Sequence, residues 1–279
     1  MILTVVSRVF ALVRAAHAAP TAAVTALATA IAAAAGRGAT GCLLVALTVL
    51  SGQLSIGWCN DVVDLSRDRA AGRRDKPLVS GELTARTVAV GAAVAATCCV
   101  PLSLANGWRA GVSHLVVVGG GWAYDLGAKR TPLSWLPYAV SFAMLTAFLS
   151  FGQPGHPAPH GWLLAAGGLL GVGAHMLNVV PDIDADRAAG VLGLPQRIGA
   201  PASRTTGAVL LGAAAALVVL GPPGAPPAWA AAGLGVAVLL ALLAAVTGRR
   251  AGSRVPFLLA LATAAVTVAL LVARGGDLG

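Results

Sequence analysis

Charge is what this sequence has least of. Asp, Glu, Lys and Arg supply 10% of its 279 residues, where soluble domains carry roughly 25%. A soluble core of this composition would have to cover nearly its whole surface with apolar side chains. The length of the apolar runs points to lipid as the main solvent instead. Aromatic residues are few (5%) and are not interleaved with the basic ones, so the net charge of +9 lacks the usual footprint of nucleic-acid binding. The four cysteines, Cys42, Cys59, Cys98 and Cys99, fall within or at the ends of apolar runs. None stands at metal-ligand spacing from a histidine, so they read as small packing residues. Arg8 and Arg14 break the first apolar stretch and a longer one follows, a pattern unlike a cleaved signal peptide.

What is abundant is apolar sequence, at 57% with a mean hydropathy of +0.83. A membrane helix takes about 20 mostly apolar residues. Runs of that kind predict nine spans, near 18–35, 39–59, 84–104, 108–125, 134–151, 161–180, 202–220, 227–246 and 255–273. Residues 1–16 predict a short amphipathic helix lying on the membrane surface. Gly and Pro mark the turns, as in Gly152-Gln153-Pro154-Gly155 and Gly221-Pro222-Pro223-Gly224. The expected fold is all-α, a multi-pass transmembrane helical bundle forming one domain over residues 1–279.

The basic residues test that topology. With a cytoplasmic N-terminus, 16 of the 19 Lys and Arg fall on the cytoplasmic side, and only Arg37, Arg109 and Arg274 lie opposite. This is the asymmetry that the positive-inside rule expects, and an error of one helix would scramble it. The expected location is the cell membrane, with the N-terminus and the acidic loops on the cytoplasmic side.

The ten acidic residues are the most informative. Asp61, Asp64, Asp68, Asp75 and Glu82 follow the second span, and Asp182, Asp184 and Asp186 follow the sixth; only Asp125 and Asp277 lie elsewhere. Four helices separate the two windows, so both emerge on one side. The windows also repeat each other at an offset of 118 residues, with ten identities in the 22 positions of 60–81 against 178–199. Asn60-x3-Asp64-x3-Asp68-Arg-Ala-Ala-Gly72 matches Asn178-x3-Asp182-x3-Asp186-Arg-Ala-Ala-Gly190, and Pro77 and Gly81 match Pro195 and Gly199. An internal duplication explains this, each helix group carrying one copy.

Asn at i with Asp at i+4 and i+8 places three oxygen ligands along one face of a helix end. Asp61, three residues before Asp64, joins that face. Two such faces brought together crowd carboxylates that repel, and a bound cation relieves the repulsion. Oxygen donors without His or Cys favour a hard ion, and Mg²⁺ is commonly held by few carboxylates plus substrate phosphates. Acids that merely solvate helix ends would not need to be duplicated at this spacing. A calcium loop is excluded, since Arg187 and Gly193 stand where its Gly and closing Glu belong. Arg69, Arg73, Arg74 and Lys76 follow the first acids, Arg187 and Arg197 the second, and Lys129 and Arg130 lie in another loop of the same side. Basic residues interleaved with metal acids suit charge-assisted bonds to a diphosphate.

Asn60-Asp61-x-x-Asp64-x-x-x-Asp68, with Asp75-Lys76-Pro77-Leu78-Val79-Ser80-Gly81 after it, resembles the first signature of the UbiA superfamily of intramembrane prenyltransferases. Asp182-Ile-Asp-Ala-Asp186-Arg-Ala-Ala-Gly190 is similar to the second. Two departures stand out. Val179 occupies an often acidic position, where Asn178 stands in, and Tyr124-Asp-Leu-Gly-Ala-Lys129-Arg130 is one residue longer than the Tyr-x-x-x-Lys-Arg element it resembles. The resemblance covers essentially the whole chain. It implies a helical bundle with a lipid-open cavity and two Mg²⁺ ions that bind an isoprenyl diphosphate.

On that resemblance the metal ligands are Asn60, Asp61, Asp64, Asp68, Asn178, Asp182 and Asp186. The substrate-binding residues are Arg69, Arg73, Lys76, Lys129, Arg130 and His175, and the catalytic group is Asp64, Asp182, Lys129 and Tyr124. His175, one helical turn before Asn178, could touch an acceptor or take a proton, or could be a packed hydrogen-bonder between helices. The expected activity is transfer of a prenyl group to an aromatic, quinone-like or other lipid acceptor within the bilayer. A terpene cyclase using the same metal–diphosphate site is the alternative. A repeat-built transporter is the third reading, and it would place its acids near mid-membrane rather than at helix ends.

Overall fold

The computed structural model describes residues 2–248, 250 and 252–274, with side chains from residue 7 onward. Arg249, counted above among the cytoplasmic basic residues, and Asp277 lie outside the described residues. The described chain is helical, with helices α1 Ile2–Ala15, α2 Ala18–Ala34, α3 Ala39–Val63, α4 Leu65–Ala70, α5 Pro77–Ser80, α6 Ala85–Leu104 and α7 Trp108–Leu126. These are followed by α8 Leu136–Phe151, α9 Gly161–Val179, α10 Ile183–Ala188, α11 Leu194–Leu220, α12 Ala228–Val246 and α13 Val255–Ala273.

Among the described residues nine long helices (α2, α3, α6, α7, α8, α9, α11, α12 and α13) stand at the nine expected positions. Six of them, α3, α6, α9, α11, α12 and α13, are long and apolar enough to cross a membrane by themselves. α2 reaches that length only together with residues 7–15 of α1, across a bend of 74°. α8 is apolar but has 16 residues, and α7 carries Arg109 and Asp125 near its ends. The seventh expected span starts earlier than its apolar run. α11 begins at Leu194 with one turn that breaks at Gly199 (φ 85°), so the polar segment before residue 202 is a short helix turned away from the span.

Each long helix packs on the next in sequence, and α13 closes the ring against α2. The duplication extends to this architecture. α2 and α8 begin at Ala18 and Leu136, the same 118-residue displacement as the motifs, and each is followed by a helix that ends in one acidic cluster. Small residues allow close approach: Gly173 of α9 and Gly207 of α11 face each other, and a Cβ on either would lie 3.0 or 3.1 Å from the other's carbonyl oxygen. Helix α1 lies across the end of the bundle that carries the acids. Its Ala11 and Ala15 pack with Leu78, Leu83 and Val88, Leu12 accepts a hydrogen bond from the Trp58 indole at 3.0 Å, and Arg14 pairs with Glu82. Val9, Phe10 and Val13 face outward.

In the half of the bundle away from the acids, α2, α8, α9, α11 and α13 line an apolar cleft of about 90 Å³. Leu27, Phe142, Leu149, Leu170, Val218 and Leu271 line it.

Candidate active site

The first acidic face forms because helical hydrogen bonds run through the α3–α4 junction. Asp64 N–H donates to the Asn60 carbonyl at 2.9 Å and Asp68 N–H to the Asp64 carbonyl at 2.8 Å, so the four-residue spacing becomes a line of side chains. α4 then ends at Gly72 (φ 66°), with Arg73 N–H reaching back to the Asp68 carbonyl at 3.0 Å and Gly72 N–H to that of Arg69 at 3.1 Å. The second copy closes in the same way. Gly190 has φ 74°, Val191 N–H bonds the Asp186 carbonyl at 2.8 Å, and Gly190 N–H bonds that of Arg187 at 3.1 Å. Each pair forms a Schellman-type cap, in which a left-handed glycine satisfies the last helical carbonyls. The repeated Arg-Ala-Ala-Gly is thus a repeated stop signal.

The two copies differ in burial. Asp61, Asp64 and Asp68 are 3%, 2% and 2% exposed, while Asn178 and Asp182 are exposed and Asp186 is half-buried. Buried carboxylates need partners, and each has one. Lys129 Nζ lies 2.6 Å from one Asp64 oxygen and Arg67 lies 2.7 Å from the other. Lys76 Nζ sits 2.8 Å from both an Asp61 and an Asp68 oxygen; the Asp61 contact is a hydrogen bond, and the Asp68 contact is an ion pair off the hydrogen-bond direction. Arg73 stands 3.9 Å from Asp68 and 4.0 Å from Asp75. Burial works to lower the Lys76 pKa, but the Asp61 and Asp68 carboxylates outweigh it and hold the ammonium above the ordinary lysine value. His17, at the bend between α1 and α2, places Nε2 3.3 Å from Asp61.

The two copies meet at Arg67. Its other guanidinium nitrogen is 3.5 Å from Asp186, whose second oxygen accepts a hydrogen bond from the Gln196 amide at 2.8 Å. The Lys129 loop packs on the segment that follows the second copy, where a Cβ at Gly193 would meet the Lys129 carbonyl oxygen at 2.7 Å. Leu194 N–H donates to Ser134 Oγ at 2.9 Å, and Ser134 Oγ lies 3.3 Å from His175 Nε2. His175 is buried and its Nδ1 has no partner. Its ring stacks on Tyr138 at 4.5 Å and meets the edge of Tyr124 at 5.4 Å. Tyr138 in turn stacks on Phe142 at 6.5 Å, a wall of the apolar cleft. An aromatic column therefore joins the charged end of the bundle to the apolar cleft.

Among the described residues no three acidic, His or Cys side chains converge as a ready-made metal cage, because cations stand between the acids. The donor set still fits Mg²⁺, which prefers a few carboxylates completed by phosphate oxygens to an all-protein cage. Asp182 and Asn178 are open to solvent, and Asp125 keeps one buried oxygen without a partner.

A model of the UbiA prenyltransferase family matches residues 22–262, a stretch that contains both acidic copies and the Lys129 loop. The chain belongs to the UbiA prenyltransferase family. Solved UbiA folds resemble it along nearly its whole length. A UbiA homolog from Aeropyrum pernix K1, in its apo form, is 19% identical with a TM-score of 0.72, covering 90% of this chain and 97% of that one. A UbiA homolog from Archaeoglobus fulgidus bound to GPP and Mg²⁺ is 17% identical with a TM-score of 0.71, covering 95% and 98%. A digeranylgeranylglyceryl phosphate synthase is 17% identical with a TM-score of 0.70, covering 99% of both. At these identities the likeness is one of fold. No curated protein matches the sequence.

Within this UbiA fold, Asp61, Asp64, Asp68, Lys76 and Lys129 are brought together, and Asp186 joins them through Arg67. Asn60 lies beside them, its amide donating to Asp125 at 2.7 Å. Arg69 and Arg130 are exposed, and Tyr124 faces Tyr138 and His175. Sequence reasoning overlooked Arg67, Asp125, Gln196, Ser134 and Tyr138, and it ranked His17, near the start of the first span, below His175 as a candidate. Arg67 stood among the basic residues assigned to topology, although its place one residue before Asp68 put it inside the acidic motif. Asp125, the lone acid at the end of its span, carried the signal of a costly polar group at a membrane boundary.

Proposed function

We propose that this chain transfers a prenyl group from an isoprenyl diphosphate to a lipid-soluble acceptor inside the membrane. The observation that carries the reading is the meeting of two duplicated acidic faces at one end of the bundle, joined by Arg67 and flanked by Lys76 and Lys129. Family membership supports it, as do the A. fulgidus homologs described as bound to GPP and Mg²⁺ and to DMAPP and Mg²⁺. In this reading Asn60, Asp61, Asp64 and Asp68 from the first copy, and Asn178, Asp182 and Asp186 from the second, would hold two Mg²⁺ ions. Mg²⁺ held by these residues would supply electrophilic stabilisation of the charge that grows on the departing diphosphate. Lys76, Lys129, Arg73, Arg69 and Arg130 bind its oxygens, exchanging carboxylate for phosphate partners. In this reading the site faces the cytoplasm, which the positive-inside asymmetry of the loops supports.

The diphosphate then sits over the aromatic column and the prenyl chain runs past Tyr124, Tyr138 and Phe142 into the apolar cleft. Breaking the allylic C–O bond leaves a cation in a site from which the packed helices exclude water. Tyr124, whose ring stands perpendicular to the stacked Tyr138 and His175 rings, steadies that cation. The acceptor forms the new bond to the prenyl carbon and loses a proton. His175 Nδ1, buried and without a partner, takes that proton while Ser134 holds the opposite ring nitrogen. The same aromatic column favours one second reading, cyclisation of the donor on itself.

The test is incubation of the purified protein with isoprenyl diphosphates of several lengths, with and without an aromatic acceptor, in Mg²⁺ or chelator. Prenylated acceptor and released diphosphate in Mg²⁺ alone are expected. Hydrocarbon product without acceptor would establish the cyclase instead, and no diphosphate release under any condition would overturn both.

A further inference from the structure

The first acidic copy is already neutralised from within. Asp61, Asp64 and Asp68 are answered by three cations, Lys76, Lys129 and Arg67, at 2.6–2.8 Å. All three carboxylates are buried. The second copy is different, with Asn178 and Asp182 exposed and Asp186 half-buried. Sequence alignment makes the copies equivalent, and the folded chain makes them unequal.

A bare divalent cation entering the first copy would have to expel an ammonium or guanidinium from a buried pair and leave it without a counter-ion. Breaking buried pairs in that way is unfavourable. A metal that arrives with a diphosphate brings anionic oxygens to receive the displaced side chains, so the cost falls away. Resting on the reading of the site given above, we propose that Arg67, Lys76 and Lys129 lock the first acidic copy against free metal. Metal enters there only together with diphosphate, while the open second copy around Asp182 takes metal first. Arg67 is the positioning residue of this lock, because among the described residues it alone bridges Asp64 of one copy and Asp186 of the other. The arrangement makes metal loading and substrate loading a single event, which keeps the first copy closed to metal when no diphosphate is present.

The test is Mn²⁺ binding to the full chain in detergent, followed by the paramagnetic resonance of free Mn²⁺, with and without inorganic diphosphate. The wild-type protein alone should bind Mn²⁺ weakly and lose that binding in Asp182→Asn. Diphosphate should tighten binding at least about tenfold, the scale on which outer partners tune a metal site. Arg67→Gln and, independently, Lys76→Gln should bind Mn²⁺ without diphosphate about tenfold more tightly than wild type and show a smaller gain from diphosphate. Arg67→Lys, which keeps the charge, should stay near wild type. Equal wild-type affinity with and without diphosphate overturns the lock, and this measurement needs no variant to fold. So does a diphosphate-dependent, Asp64-dependent site whose metal-only affinity is unchanged in Arg67→Gln and Lys76→Gln. If no form binds Mn²⁺ with diphosphate present, the reading of the site itself fails, and the lock with it.

Discussion

Lys129 offers the sharpest test of how the site is held together. Its ammonium is 4% exposed and lies 2.6 Å from an Asp64 carboxylate that is 2% exposed. Replacing Lys129 by Met keeps the chain volume and removes the charge. Removing one partner of a buried pair costs about 3–5 kcal/mol, chiefly by stranding the other charge. Here Arg67 still grips the second Asp64 oxygen at 2.7 Å, so the loss should sit at or below the lower end of that range, about 2–3 kcal/mol. The double variant Lys129→Met/Asp64→Asn strands less charge and should recover about half of the loss. Reversible unfolding in mixed micelles by detergent titration, followed by helical circular dichroism, measures both. Groups in direct contact couple rather than add. A single variant within about 0.5 kcal/mol of wild type, the scale of an ordinary surface substitution, would refute the argument. So would a double variant whose loss is the sum of the two single losses.

Other outcomes follow from the same geometry. Asp64→Asn and Asp182→Asn should each abolish diphosphate release, and chelator should do the same to wild type, while membrane extraction yields stay normal; retained turnover in both variants would remove the acids from the chemistry. Gly72→Ala and Gly190→Ala should each cost about 1–2 kcal/mol of stability, since both glycines hold left-handed backbone where a Cβ is strained although neither would meet a neighbour within 4 Å. Equal losses in melting experiments are expected if the two caps are true duplicates, and a large disparity would contradict that. Gly193→Ala should lower activity and cost about 1–3 kcal/mol, because its Cβ would meet the Lys129 carbonyl at 2.7 Å and Ser134 Oγ at 2.9 Å. A fully active Gly193→Ala protein would show that the Lys129 loop need not stay packed on the second copy.

The places of the nine long helices and the two acidic clusters were legible in the amino-acid order, because both are local signals. A span is a run of apolar residues, and Asn60, Asp64 and Asp68 share a line because each helical hydrogen bond spans four residues. The common side of the two clusters followed from the even number of helices between them. The short turn before Gly199 was not legible as a helix, since the segment 194–198 is too brief to show a helical period of apolar residues.

Which cation meets which carboxylate was decided only by the tertiary structure. In water, a helix shows its inner face by the contrast of apolar and polar residues. In lipid the outer face is apolar as well: Leu43 and Val94 point outward while Val45 and Val88 are buried. Composition therefore says little about how each helix is rotated. Rotation and crossing angle come from the meeting of small residues such as Gly173 and Gly207. That packing sets Arg67 between Asp64 and Asp186, Asn60 against Asp125, and Lys129 beside a carboxylate 65 residues away in sequence.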